Sequence, residues 1–252
     1  MFIKTKWTVT ADYQSTAAGK QFASLEQALS FTGGEVITAD SESQVRKAKI
    51  DNMIVFVKCY FRVRGLRSWL GFSRIRGEWK NLLFFKKINI PTANIIAYGE
   101  TYCLGCSFRG ALITEGLKNV YTLSDLFATK HNLLQNHHWL LKIIAQLAKI
   151  TRIMHLNRFA HNDLKWRNIL VTSDLINPQV YLIDCPLGMK WSWPLLSKRL
   201  VKDLACLDKV GKQCLSNTMR MRFYKQYRQT DRLSNKDKRM IQQIIHYFRG
   251  KN

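Results

Sequence analysis

Apolar positions along this chain recur with two different periods, and the change from one to the other near residue 115 divides it into halves. In the first half they alternate, or run together over short stretches bounded by turn residues. Thr5 to Thr10, Glu35 to Ala39 and Val45 to Ile50 read as strands, and Met53 to Lys58 is an unbroken apolar run closed by a lysine, as in a buried strand. Pro91 to Gly99 and Phe108 to Thr114 add two more, joined through Cys103-Leu104-Gly105-Cys106, whose central pair has hairpin-turn composition. Two helical stretches interrupt them: Leu25 to Phe31, ended by Gly33 and Gly34, and a pattern from Arg76 through Leu82, Leu83 and Phe85. Beyond Glu115 the spacing becomes helical. Thr122 to Thr129 opens with a capping pattern, Trp139 to Leu156 is a long amphipathic stretch, and Lys198 to Cys214, Met219 to Tyr227 and Asn235 to Phe248 are basic amphipathic ones. The expectation is an α+β chain, with a β-rich lobe carrying one helix over residues 1–115 and a compact, mainly helical lobe over residues 116–252.

One stretch in the helical half fits neither period. The residues from His161 to Asn168 are mostly polar; strand-like runs follow at Ile169 to Val171 and Val180 to Ile183, the second ending on Asp184. Taken singly, an Asp-Leu-Lys is common in any soluble protein, and an Ile-Asp at a strand end often only caps a turn. Taken together they supply what phosphoryl transfer needs: a carboxylate to meet the attacking hydroxyl, a cation near the moving phosphoryl, and an amide oxygen plus a second carboxylate for Mg²⁺. Asp163, Lys165, Asn168 and Asp184 provide one of each.

Composition narrows the setting. With 252 residues, 46% of them hydrophobic, the chain can bury a full core and does not read as disordered. Its start, Met1-Phe2-Ile3 running into Lys4 and Lys6, has no secretory pattern, and Trp139 to Leu156 is broken by Lys142, Lys149 and Arg152, unlike a membrane span. A cytoplasmic protein is expected. Six cysteines include one C-x-x-C at Cys103 and Cys106 with no second pair or nearby histidines, which suits free thiols better than structural zinc. The net charge of +23 calls for an anionic partner: nucleic acid, a membrane face or a phosphorylated glycolipid. No dedicated nucleic-acid motif accompanies it, and oligomeric state is not encoded in any pattern here. Between Phe61 and Arg74 arginines alternate with aromatic and aliphatic residues, a composition that suits lipid headgroups and equally an insertion packed on its lobe.

The polar stretch resembles the catalytic loop of the protein-kinase-like superfamily, H-x-D-x-K-x-x-N followed by a metal-binding aspartate. Asn162 stands where protein kinases usually have an arginine that pairs with an activation-loop phosphate, so that mode of regulation is not expected. Asp184-Cys185-Pro186 replaces D-F-G, keeping the carboxylate. Met53 to Lys58 resembles the strand that carries the nucleotide-phosphate lysine, with Glu78 on the next helix as its carboxylate partner, and Glu115-Gly116 falls at the hinge that offers backbone groups to a purine. The turn Asp40 to Gln44 occupies the place of the phosphate-covering loop but has no glycine; Ser41, Ser43 and backbone N–H groups are its only phosphate donors, and an ordinary hairpin fits as well. Asp203, nineteen positions after Asp184, resembles the buried helix aspartate that ties down the catalytic loop. That connection is too short to dock an extended polypeptide; Trp191, Trp193 and Pro194 within it offer a stacking face for sugar or lipid, or simply fill core.

Over roughly residues 35–230 these features are similar to those of the lipopolysaccharide core kinases, the Kdo and heptose kinases of Gram-negative bacteria. The resemblance implies a two-lobed protein-kinase-like fold with a small antiparallel sheet in its N-terminal lobe. It implies ATP and Mg²⁺ as cofactors and a lipopolysaccharide or lipid A-core glycolipid as acceptor, met by a peripheral protein on the cytoplasmic face of the anionic inner membrane. In that scheme Asp163 is the base, Lys165 offsets charge, Asn168 and Asp184 hold the metal, and Lys58, Glu78 and Glu115 bind nucleotide. An atypical protein kinase of the Rio kind, a small-molecule kinase of the aminoglycoside or choline type, and a degenerate kinase fold that binds membrane or nucleic acid remain as alternatives.

Overall fold

The computed structural model describes residues 3–61, 73–103 and 106–250. Most of the arginine-rich stretch and the Leu104-Gly105 turn lie outside the described residues. The chain forms two compact units, Met1–Leu83 with Ala93–Leu117, and Phe84–Thr92 with Lys118–Asn252.

The first unit is built on a six-stranded antiparallel sheet in the order β1-β5-β6-β4-β3-β2. Its strands are β1 (Lys4–Val9), β2 (Glu35–Ala39), β3 (Ser43–Ile50), β4 (Met53–Tyr60), β5 (Ile95–Cys103) and β6 (Cys106–Glu115). Side chains alternate along β4, so Val55, Val57 and Cys59 enter one face while Lys58 points to the other. The first face is covered by two short helices, α1 (Ala17–Gln21) and α2 (Leu25–Leu29), whose Phe22, Leu25 and Ala28 pack on Val55, Val57, Ala111 and Ile113. Both are capped by a hydroxyl, Thr16 and Ser24; α2 falls on the helical stretch expected at Leu25 to Phe31 and α3 (Arg74–Lys87) on the one expected at Arg76, while α1 comes in addition to them. Residues 3–31 are therefore part of the sheet's core. The glycine-free turn between β2 and β3 is closed by Asp40, whose Oδ1 accepts the N–H groups of Glu42 at 2.8 Å and Ser43 at 2.7 Å. The backbone N–H groups of Glu42 and Ser43 are thus already bonded to a carboxylate, as in an ordinary hairpin turn.

The second unit is mainly helical: α4 (Leu123–Ala128), α5 (His137–Leu156), α6 (Leu195–Cys214), α7 (Asn217–Arg228) and α8 (Asn235–His246). Helices α5 to α8 share a core of Ala148, Leu204, Ala205, Tyr224, Tyr227 and Ile244 and leave an apolar cavity of about 320 Å³ bordered by Leu147, Trp166, Leu207 and Ile244. None of the described helices is long and apolar enough to cross a membrane. Short strands frame the polar loop. β7 (Val120–Thr122), β9 (Ile169–Thr172) and β10 (Val180–Leu182) form one small sheet, and β8 (Phe159–Ala160) pairs with β11 (Met189–Lys190).

Candidate active site

The polar loop leaves β8 and re-enters β9, and a buried carboxylate sets its shape. Asp203, in the middle of α6 and fully buried, accepts the backbone N–H of His161 at 2.7 Å and of Asn162 at 2.8 Å. Asn162 is thereby held in the left-handed region, at φ +64°, a conformation that asparagine tolerates better than most residues. Its buried side chain donates through Nδ2 to Leu187 O at 2.8 Å, tying the loop to the segment after Asp184. Where a protein kinase would place an arginine that answers to phosphorylation, this chain has a neutral, permanent link. Behind Asp203, His155 lies with Nε2 3.4 Å from its Oδ2 and Nδ1 2.9 Å from the Tyr227 hydroxyl, which extends the support from α6 through α5 to α7.

His161 packs in the core with its ring centroid 6.2 Å from that of Phe85, and neither ring nitrogen has a hydrogen-bond partner. The bond that His161 makes to Asp203 is from its backbone, and its ring only packs. Burial holds it neutral, below the usual histidine range, over the opposing pull of Asp203, Asp163 and Asp184.

Asp163 points out of this frame, its side chain 21% exposed. Lys165 Nζ stands 2.6 Å from its Oδ1 and Arg167 Nη2 3.2 Å from its Oδ2. Burial alone would lift the Asp163 carboxyl; the hydrogen bond and charge of Lys165, joined by Arg167, outweigh it and hold the group below the usual carboxylate range. Arg167 was not singled out by sequence, although its i,i+4 spacing from an aspartate is a legible signal. Asn168, buried, spends its amide Nδ2 on Asp163 O at 2.8 Å and on Asp163 Oδ2 at 3.4 Å, while its Oδ1 takes part in no hydrogen bond. The backbone brings Asp184 alongside, because Ile183 N donates to Asn168 O at 3.0 Å, and Asp184 itself is half-buried at φ +53°. An amide oxygen and a carboxylate are hard-oxygen donors of the kind that suits Mg²⁺. No cluster of three or more His, Cys, Asp or Glu side chains of metal-binding geometry occurs among the described residues. Just after Asp184, Gly188 lets the chain lie against β8, where a Cβ would collide with Cys185 Sγ and the Phe159 ring.

In the other unit, Lys58 on β4 reaches Glu78 on α3 with Nζ 3.0 Å from Oε1 and 2.8 Å from Oε2. Glu78 is buried and also accepts from the Tyr60 hydroxyl at 3.1 Å; burial and the Glu78 charge together push Tyr60 above the ordinary tyrosine range. The pair is aimed by regular structure: Lys58 and Tyr60 lie on one face of the same strand, two residues apart. Glu115 ends β6 with its N–H donated to Asn94 O at 2.9 Å, and Gly116 N to Ile54 O at 2.7 Å. Its carboxylate accepts from Tyr13 at 2.5 Å and Asn94 Nδ2 at 3.1 Å, and the N–H groups of Glu115 and Gly116 are both engaged within the unit.

Asp163, Lys165, Asn168 and Asp184 are thus gathered in one unit, and Lys58 with Glu78 in the other. Comparison with known proteins bears on the fold and the family. The chain is similar to the solved structure "WaaP in complex with acyl carrier protein", with a TM-score of 0.72 at 16% identity over 96% of this chain and 95% of that one, a likeness that establishes the kinase-like α+β fold. No curated protein matches the chain. The family model described as "Lipopolysaccharide kinase (Kdo/WaaP) family" matches residues 59–233, which include Glu78, the whole polar loop, Asp184 and Asp203. With well over half its length matched, the chain belongs to the lipopolysaccharide kinase (Kdo/WaaP) family, a family of phosphotransferases that use ATP.

Proposed function

We propose that the chain transfers the γ-phosphoryl group of ATP to a hydroxyl of an inner-core sugar of lipopolysaccharide, Kdo or heptose, at the cytoplasmic face of the inner membrane. The observation that carries this reading is the state of Asp163: a carboxylate kept ionised by Lys165 and Arg167, on a backbone fixed by Asp203. Asp163 orients the acceptor hydroxyl and takes its proton as the oxygen attacks phosphorus. Lys165, 46% exposed, offsets charge on the transferred group as the ADP oxygen departs. Lys58, steadied by Glu78, receives the nucleotide phosphates, and the hinge at Glu115 meets the purine through groups other than its engaged N–H. Mg²⁺ would be held by Asn168 and Asp184, and when bound it neutralises phosphate charge. The +23 net charge suits an acceptor and a surface that are both anionic.

The test is phosphate transfer to purified core oligosaccharide. Asp163→Ala is expected to lower kcat about 10²–10⁴-fold while nucleotide affinity stays near that of the parent; unchanged turnover removes Asp163 from the role of base. Mass spectrometry of lipopolysaccharide from cells with and without the gene then identifies the sugar.

A partner reading rests on the apolar cavity of the helical unit. The similar structure is a complex with acyl carrier protein, and a partly open apolar cavity of about 320 Å³ suits an acyl chain presented by such a carrier. Leu207→Trp, which fills the space, is expected to abolish co-elution with an acylated carrier; co-elution equal to the parent's excludes this seat.

A further inference from the structure

The segment between Asp184 and Asp203 carries a feature that the phosphotransfer reading does not use. From Cys185 to Lys202 there are four basic residues, Lys190, Lys198, Arg199 and Lys202, and no acidic one. None of the four has a carboxylate partner among the described residues. Two are instead held over rings, Arg199 4.4 Å from the Trp191 ring and Lys190 4.9 Å from that of Phe84. The same eighteen positions expose four large apolar side chains: Leu187 at 41%, Met189 at 38%, Trp193 at 63% and Leu195 at 53%. A tryptophan this exposed leaves most of its apolar surface in water, Leu195 does the same, and Leu187 and Met189 expose about two fifths of theirs, which together mark a contact surface.

These side chains do not sit on a loose loop. β11 is paired with β8, Trp191 N donates to Arg158 O at 2.9 Å, Leu187 O accepts from Asn162, and Leu195 opens the twenty-residue helix α6. The backbone that presents them is the one that borders the Asp163 loop.

We propose that residues 187–199 form a docking surface for an anionic phospholipid bilayer, with Trp193 and Leu195 entering the interfacial region and Lys190, Lys198 and Arg199 meeting headgroup phosphates. Reversible membrane attachment needs two signals, buried apolar area and basic charge, and this segment has both side by side. Indole favours the boundary between headgroups and acyl chains. The inference deepens the membrane-face reading above and rests on it: docking here sets the Asp163 loop beside the bilayer, where a lipid-anchored sugar would lie.

The experiment is co-sedimentation of the full chain with vesicles of phosphatidylcholine alone and of phosphatidylcholine mixed with phosphatidylglycerol, alongside transfer to delipidated core oligosaccharide in solution. The parent is expected to bind the anionic vesicles, less tightly as salt rises. Lys190→Gln and Lys198→Gln should each weaken that binding about fivefold, the equivalent of about 1 kcal/mol per basic residue near an anionic surface. Leu195→Ser should weaken it about fivefold, with transfer to the soluble oligosaccharide unchanged, and adding Trp193→Ser should weaken vesicle binding further, while Lys238→Gln on α8 should have little effect. Equal binding to neutral vesicles, undiminished binding by both sets of variants, or an equal loss from Lys238→Gln overturns the proposal. Intact vesicle binding without transfer supports the surface and counts against the kinase reading.

Discussion

The two units hold their reactive charges by opposite means. In the sheet unit, a lysine on a strand is gripped by a buried glutamate from a helix, and both side chains point as the periodicity of their elements dictates. In the helical unit, an aspartate sits on irregular backbone held left-handed at Asn162, and the restraint comes from Asp203, which binds backbone N–H groups and touches no reacting atom. The first arrangement depends on side-chain contacts and the second on backbone order imposed from a distance. Damage to the first should be local and damage to the second should spread.

The largest effect is therefore expected at Asp203→Ala. It leaves two buried N–H groups without acceptors and should cost about 3–5 kcal/mol, read as a fall in Tm, with transfer lost although every reacting side chain is intact. Glu78→Ala removes a partner of the one-fifth exposed Lys58 and should cost less, about 2–3 kcal/mol, with its main signature a raised KM for ATP. Equal losses of stability in the two variants would break the contrast between the units. The smallest effect sharpens it. Asp163 is depressed in the folded protein, so its ion-pair contribution is present above the ordinary carboxylate pKa and is lost only as pH falls through the depressed value. Arg167→Met withdraws one of the opposing cations and lets burial lift the group, so the acid limb of the pH–rate profile should move to higher pH with Tm little changed. An unmoved limb would show that Lys165 alone sets the carboxylate.

What could be read from the residues follows the same division. Lys58 and Glu78 were legible because a buried strand and an amphipathic helix leave few choices of direction, and the structure bonds the two at 2.8 Å. Asp163, Asn168 and Asp184 were legible as residue types at fixed spacing, and Asp203 as an aspartate set in an apolar helix. The conformation that makes them a site was not: left-handed φ values at Asn162 and Asp184 have no signature in composition. Helix α1, Ala17–Gln21, is too short to show a period, and at the turn from Asp40 to Gln44 the sequence leaves phosphate contact and an ordinary hairpin both open, because it does not show which N–H groups the Asp40 carboxylate takes. Arg167 has no position of its own in the catalytic motif, and its i,i+4 pair with Asp163 is of a kind common on any solvated surface.

The contact between Tyr227 and His155, and through it Asp203, has a consequence for deletions. A chain cut after Cys214 would keep Lys58, Glu78, Asp163, Lys165, Asn168 and Asp184, yet it would lose the Tyr227 hydroxyl that bonds His155 and the helical layer that closes over Ala148 and Leu204. Such a fragment would contain the chemistry without the rigidity that makes it usable, so the shortest competent form of this protein is set by its tail and not by its catalytic motif.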